Sequence, residues 1–109
     1  GVVEVASLLD LMATKVKVIL QRAEAKDYRD ITAMLAAGVP LIQGLAAART
    51  MFGSAFQPSE SLKAMVYFGD GDLHTLSREE RTTLVDAVDS LRGHPISARD
   101  LLSRKLSGD

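Results

Sequence analysis

Met12-Ala13-Thr14-Lys15-Val16-Lys17-Val18-Ile19-Leu20-Gln21-Arg22-Ala23-Glu24-Ala25-Lys26-Asp27-Tyr28-Arg29-Asp30-Ile31 reads as the second half of one helix, a short break, and the start of the next. On a wheel of about 3.6 residues per turn, Leu8, Leu9, Leu11, Met12, Val16, Val18, Ile19 and Ala23 cover one broad arc of the first helix. Lys15 and Arg22 fall inside that arc and, seven positions apart, point the same way. Asp10, Thr14, Lys17 and Gln21 take the opposite side, where water is expected. The second helix repeats the anomaly with the opposite sign. Tyr28, Ile31, Met34 and Leu35 form its apolar side, with Asp27 among them, Asp30 at the edge, and Arg29 and Ala36 facing away.

Two cations and two carboxylates therefore sit on sides that should be buried. An unpaired buried charge costs on the order of several kcal/mol, so these groups must pair, snorkel or line a polar cleft. Spacing alone leaves two readings open. In the structural one, Lys15 and Arg22 lay their stems on apolar surface. Asp27 then N-caps the second helix, worth roughly 1 kcal/mol, and Arg22 clamps Asp27 or Asp30. The functional reading explains why all four fall within sixteen positions.

Outward from this hairpin, the chain of 109 residues is long enough for one domain, and 47% of it is hydrophobic, enough for a real core. The net charge is −1, and no basic block argues for nonspecific nucleic-acid or membrane binding. There is no cysteine, hence neither a disulfide framework nor thiolate chemistry, and a cytoplasmic location is expected. No apolar run reaches the roughly 18 residues of a membrane span. No basic segment precedes the apolar N-terminal residues as in a signal peptide. The chain begins with Gly1 rather than Met, as an excised piece begins.

Gly1 to Ala6 is β-branched, and no later segment offers it a strand partner. It reads as an orphan N-terminal β-strand from a sheet outside this sequence, or as a disordered or helix-extending leader. Ser7-Leu8-Leu9-Asp10 reads as a capping-box variant opening helix 1, expected over about residues 7 to 23. Helix 2 is expected from Lys26 or Asp27 to Ala37, with Gly38 at C′. Helix 3 is expected from Pro40 to Phe52, with Gly44 allowing close approach of a neighbour. Helix 4 is expected over Pro58 to Phe68. Ser77-Arg78-Glu79-Glu80 is a better capping box and opens helix 5, to about Arg92. Gly93-His94-Pro95 stops it, and Ser97 to Leu106 is expected to form a final short helix burying Leu101 and Leu102. The fold class is all-α, a bundle of five to six short helices in a single helical domain.

Other chemistry is poorly represented. Asp70-Gly71-Asp72 with His74 lacks the remaining positions of a calcium loop and reads as a turn with solvated carboxylates. His74 and His94 have no cysteine or second histidine at zinc-ligand spacing. No GxSxG, GxGxxG or P-loop pattern occurs, and no basic recognition helix supports a helix-turn-helix.

The stretch from Ser7 to Ile31 resembles the later part of the AbiEii/AbiGii-type nucleotidyltransferases, which include toxin components of abortive-infection and toxin–antitoxin systems. The likeness rests on Arg22, the spacer Ala23-Glu24-Ala25, then Lys26-Asp27-Tyr28-Arg29-Asp30 and the apolar Ile31. The upstream run Leu11-Met12-Ala13-Thr14-Lys15 looks like that family's lysine-presenting helix. Phe56-Gln57-Pro58, residues 62–68 and Asp70-Gly71-Asp72-Leu73 resemble a subset of such proteins. The resemblance implies that Lys15 and Lys26 face nucleotide phosphates, with Asp27 the essential acid and Asp30 and Arg22 holding it in place. Catalytic roles would thus fall to Asp27 and Lys15, and nucleotide binding to Lys15, Arg22 and Lys26. It also implies Mg2+ in the complete enzyme, bound by an earlier Gly-Ser motif with an Asp-x-Asp pair that nothing here matches. The chain is therefore expected to be the helical C-terminal part of a metal-dependent nucleotidyltransferase, inactive alone and binding no metal itself. The missing N-terminal half or a partner chain would supply the carboxylates, and an NTP the nucleotide. The alternative is a non-enzymatic helical protein-interaction module, docking through Val2, Val3 and Val5 and forming a heteromer or homodimer.

Overall fold

The computed structural model describes residues 5–92. Five α-helices follow one another: α1 (Val5–Val18), α2 (Ala25–Ala36), α3 (Leu41–Phe52), α4 (Pro58–Met65) and α5 (Arg78–Arg92). Short 3-10 turns lie at Gly53–Ala55 and Leu73–Thr75, and no strand occurs among the described residues. The fold is all-α, as the periodicity requires.

One core joins the helices. Met12 and Val16 of α1, Ile31 of α2, Leu45 of α3, Met65 of α4, and Leu84 and Val88 of α5 are fully buried in it. Phe56 and Leu73 fill it from the connecting segments. The most extensive pairing is α1 against α3. Gly44 is what lets them meet closely, since a Cβ there would collide with the Met12 side chain. α2 packs on α1 along one side and on α5 along the other. The polar cluster described below lies where the end of α1 meets the start of α2.

Several boundaries follow their sequence signals. Gly38 stands at C′ of α2 with φ 91°. Its N–H donates to the Leu35 carbonyl at 3.0 Å and the Val39 N–H to the Met34 carbonyl at 3.0 Å, a complete Schellman pair. Pro58 opens α4 at its first position. The capping box of α5 is closed in both directions. The Glu80 N–H donates to Ser77 Oγ at 3.0 Å, and the Ser77 N–H donates to Glu80 Oε1 at 2.7 Å. The backbone N–H of Ser77 holds the Glu80 carboxyl below the usual carboxylate range.

Others depart from the expectation. α1 is already helical at Val5 and Ala6, so Ser7 lies inside the helix rather than at its cap. For those two residues the leader extends the helix; Gly1 to Glu4 fall outside the described residues. The expected final helix over residues 97–106 and its stop at 93–95 also fall outside them. α1 ends at Val18, not near Ala23. Past Val18 the chain tightens, with the Leu20 N–H donating to the Lys17 carbonyl at 3.1 Å. That frees the buried Val16 carbonyl, which accepts from Ser61 Oγ at 2.7 Å. A hydroxyl 45 residues away in sequence thus supplies the bond that the next turn of α1 would have made. α4 stops at Met65, three residues early, by the same device. The Tyr67 N–H tightens onto the Ala64 carbonyl at 3.2 Å, which also accepts from the Tyr28 hydroxyl at 3.0 Å.

Candidate functional site

Asp27 is the hub of the cluster. It lies in the first turn of α2, two positions past Ala25, and its side chain has 0% exposure. Burying a carboxylate so completely requires that its lone pairs be met by cations or donors. Lys15 Nζ donates to Asp27 Oδ1 at 2.9 Å. Arg22 forks across both oxygens, with Nε donating to Oδ2 at 2.9 Å and Nη2 to Oδ1 at 3.2 Å. The planar guanidinium suits that two-oxygen grip. Asp27 is therefore no N-cap: Glu24 occupies the cap position, without a side-chain cap bond.

Around the hub, the pairs reach outward to water. Lys15, 18% exposed, also contacts the half-exposed Asp30 through Oδ2 at 2.8 Å. Arg22 Nε lies 3.0 Å from Glu24 Oε2. Lys26 is 67% exposed and, among the described residues, approaches only Glu24, at 3.5 Å. Of the five residues singled out from the sequence, four meet: Lys15, Arg22, Asp27 and Asp30. Lys26 joins only at the rim, through Glu24, since its position in the first turn of α2 turns it to solvent.

The electrostatics follow from these contacts. The Arg22 guanidinium, helped by the Lys15 ammonium, holds the Asp27 carboxyl below its ordinary range against the opposing effect of burial. The Asp30 and Asp27 carboxylates raise Lys15, and Asp27 raises Arg22. All three groups are charged at neutral pH. Lys15, Arg22 and Lys26 are balanced by Glu24, Asp27 and Asp30, so the cluster as a whole is neutral.

Arg22 does not arrive from a helix, as a seven-residue helical spacing would have it. It is carried by the turn between α1 and α2, and that turn is held from elsewhere in the chain. The Ala25 N–H, one of the unpaired donors at the start of α2, donates to Asp72 Oδ1 at 2.7 Å. Gly71, at φ 53°, lies so close to the Ala23 carbonyl that a Cβ would strike it. Thr75 Oγ1 donates to the Asp72 carbonyl at 2.6 Å, and Arg29 Nη2 donates to the Thr75 carbonyl at 2.9 Å. Arg29 also pairs with Glu80 at 3.2 Å. The Asp70-Gly71-Asp72 turn is thus more than a solvated loop: one of its carboxylates caps α2. The sequence pattern alone assigns neither Asp72 nor Glu24 to the cluster. The signal for Glu24 was an acid two positions after Arg22; for Asp72 only the glycine-centred turn pointed to anything.

No group of three or more His, Cys, Asp or Glu among the described residues could hold a metal ion. Among the described residues, no helix is long and apolar enough to cross a membrane. A model of the family described as "Nucleotidyl transferase AbiEii toxin, Type IV TA system" matches residues 2–103. Neither the curated proteins nor the solved structures contain a match.

Proposed function

Because the chain belongs to the AbiEii nucleotidyl transferase toxin family, we propose that it is the helical C-terminal portion of a metal-dependent nucleotidyltransferase, which moves a nucleotide from an NTP to an acceptor. The observation that carries this reading is the convergence of Lys15 and Arg22, from two different segments, on the fully buried Asp27. Within it, Lys15 and Arg22 meet the phosphates, and exposed Lys26 has the freedom to join them. Asp27, with both oxygens engaged, contributes by charge and position, and Asp30 steadies Lys15. Fixed cations of this kind stabilise charge on a transferring phosphoryl group.

Mg2+ does not fit the cluster. Both Asp27 oxygens accept from cations, Asp30 is held by Lys15, and Glu24 by Arg22 and Lys26. In this reading the metal carboxylates come from an N-terminal half or a partner chain, the 109-residue chain alone is inactive, and the assembly is cytoplasmic. The second reading, a non-enzymatic interaction module, is favoured by one feature. The cluster is already neutral, as a purely structural clamp between α1 and α2 would be.

The test is reconstitution. The chain is combined with a sheet-bearing half and assayed with NTP and Mg2+, beside Lys15→Ala and Asp27→Ala. Loss of transfer in both variants, with the complex still assembled, supports the nucleotidyltransferase. Unchanged transfer refutes the assignment of these residues. A tight heteromer or homodimer without nucleotide affinity favours the module.

A further inference from the structure

The loop after α4 reaches the start of α2, although nothing in the proposed chemistry requires it there. The Asp72 carboxylate accepts from the Ala25 N–H at 2.7 Å, two residues before Asp27 and three after Arg22. Gly71 seats directly on the Ala23 carbonyl, a contact that excludes any Cβ. The loop is itself braced. Thr75 Oγ1 donates to the Asp72 carbonyl at 2.6 Å, and Arg29 of α2 binds both Thr75 and Glu80. Residues 22–25 are therefore gripped from outside at two successive points, Ala23 and Ala25. Arg22 leaves this turn beyond the end of α1, tied to that helix by its N–H on the Val18 carbonyl at 3.1 Å, while the segment after it is held by the loop.

We propose that Asp72 is a positioning residue for the cluster: by capping α2 at Ala25 it fixes the turn that lays the Arg22 guanidinium across Asp27. An N-cap side chain restricts the first turn of a helix and the chain entering it. Here the cap comes from 47 residues downstream, so it forms only once that loop has packed against the start of α2. The cluster would then be set by the packing of the Asp70-Gly71-Asp72 loop as much as by α1 and α2. This deepens the proposed function only in naming which residue aligns that site; the geometric claim stands without a nucleotide.

The experiment is carbon-detected NMR on the 109-residue chain, following the Asp27 side-chain carboxyl through a pH titration together with Ala25 amide exchange. The variants are Asp72→Ala, which removes the acceptor, and Asp72→Asn, which keeps an oxygen and loses the charge. In Asp72→Ala the Ala25 amide is expected to exchange roughly fivefold faster, the factor matching a cap of ~1 kcal/mol. The Asp27 titration is expected to move up toward the ordinary carboxylate range as Arg22 loosens, and Asp72→Asn is expected to restore most of both. The proposal is overturned if Ala25 is released while Asp27 titrates unchanged, or if Asp72→Asn behaves as Asp72→Ala. Should Asp72→Ala not fold by circular dichroism, Asp72→Glu, which displaces the acceptor by one methylene, is read the same way. A chain that passes this test but whose reconstituted enzyme ignores Lys15→Ala and Asp27→Ala refutes the nucleotide reading alone.

Discussion

Replacing Asp27 by asparagine tests the organisation of the cluster. The substitution keeps the shape and removes the charge. It also places an amide NH2 where an oxygen accepted, so at least one of the three donors from Lys15 and Arg22 faces another donor. Hydrogen bonds to charged groups contribute about 1.5–3 kcal/mol each. Three of them would suggest a large loss, but the released cations are not stranded. Lys15 keeps Asp30 and Arg22 keeps Glu24, and both reach water. Discounting for that solvent access, the expected loss is ~2–4 kcal/mol. For a domain of this size that lowers Tm by roughly 10–25 °C.

The assay is urea unfolding of the 109-residue chain and of Asp27→Asn, followed by far-ultraviolet circular dichroism, at neutral pH and in steps into acid. The sign of the pH effect follows from the depressed carboxyl of Asp27. Its contribution is fully present above the unfolded aspartate pKa of about 3.9. It is lost as pH falls through the lower folded value. The two proteins should therefore differ by a constant amount above about pH 5 and converge in strong acid. A neutral-pH loss under ~1 kcal/mol, the level of an ordinary surface ion pair, would refute the picture of a buried hub. So would a difference that does not shrink in acid.

Further expectations are narrower. Lys15→Ala should cost more than ~1 kcal/mol because it strips one of two cations from a buried carboxylate, whereas Lys26→Ala should stay within about 0.5 kcal/mol; paired urea melts check this. Ser61→Ala should cost ~1–3 kcal/mol, since the buried Val16 carbonyl loses its partner, read by the same melts. Tyr28 is buried and its phenol is pushed up to about 12. In a Tyr67→Phe background, absorbance at alkaline pH should show its ionisation only near there. The stability it contributes should be full below the unfolded tyrosine value of about 10 and be lost as pH rises through the folded one.

The helical pattern was legible because apolar spacing and punctuation agreed. Gly38, Pro58 and the Ser77–Glu80 box each ended or began a helix where expected. Inward placement of Lys15 and Asp27 was legible too, because a charge among apolar positions is an anomaly on a wheel. What was not legible depended on distant partners. Nothing in Ile19-Leu20-Gln21 announces a helix end; α1 stops where the Ser61 hydroxyl takes over the Val16 carbonyl. The family resemblance, not the wheel, assigns Lys26 to the phosphates beside Lys15. Adjacent helical positions do not face each other, and Lys26 points to water. The sequence predicts only a solvated turn at Asp72, because its partner, a backbone N–H, has no signature in sequence.

The neutrality of the cluster bears on what could bind there. A phosphate that takes over the paired donors of Lys15 or Arg22 competes with Asp30 or Glu24, since Asp27 is sealed beneath them. Those two outer carboxylates are the half-exposed ones, so they are also the easier to move. The inner pairing with Asp27 can then persist while the outer pairing is exchanged for a ligand anion. That division separates the two proposed readings at the level of single residues. If the cluster is only a clamp, Asp30→Asn and Glu24→Gln free cations that nothing uses, and nucleotide affinity stays absent. If it handles phosphates, the same substitutions remove the internal competitors and should strengthen nucleotide binding by the reconstituted protein. Each outer pair is solvent-exposed and contributes at most about 1 kcal/mol, so the gain should be no more than roughly fivefold per site. Isothermal titration with an NTP and Mg2+ reads it directly. Weaker binding in both variants would mean that Asp30 and Glu24 support the ligand rather than compete with it, and this account of the outer shell would be wrong.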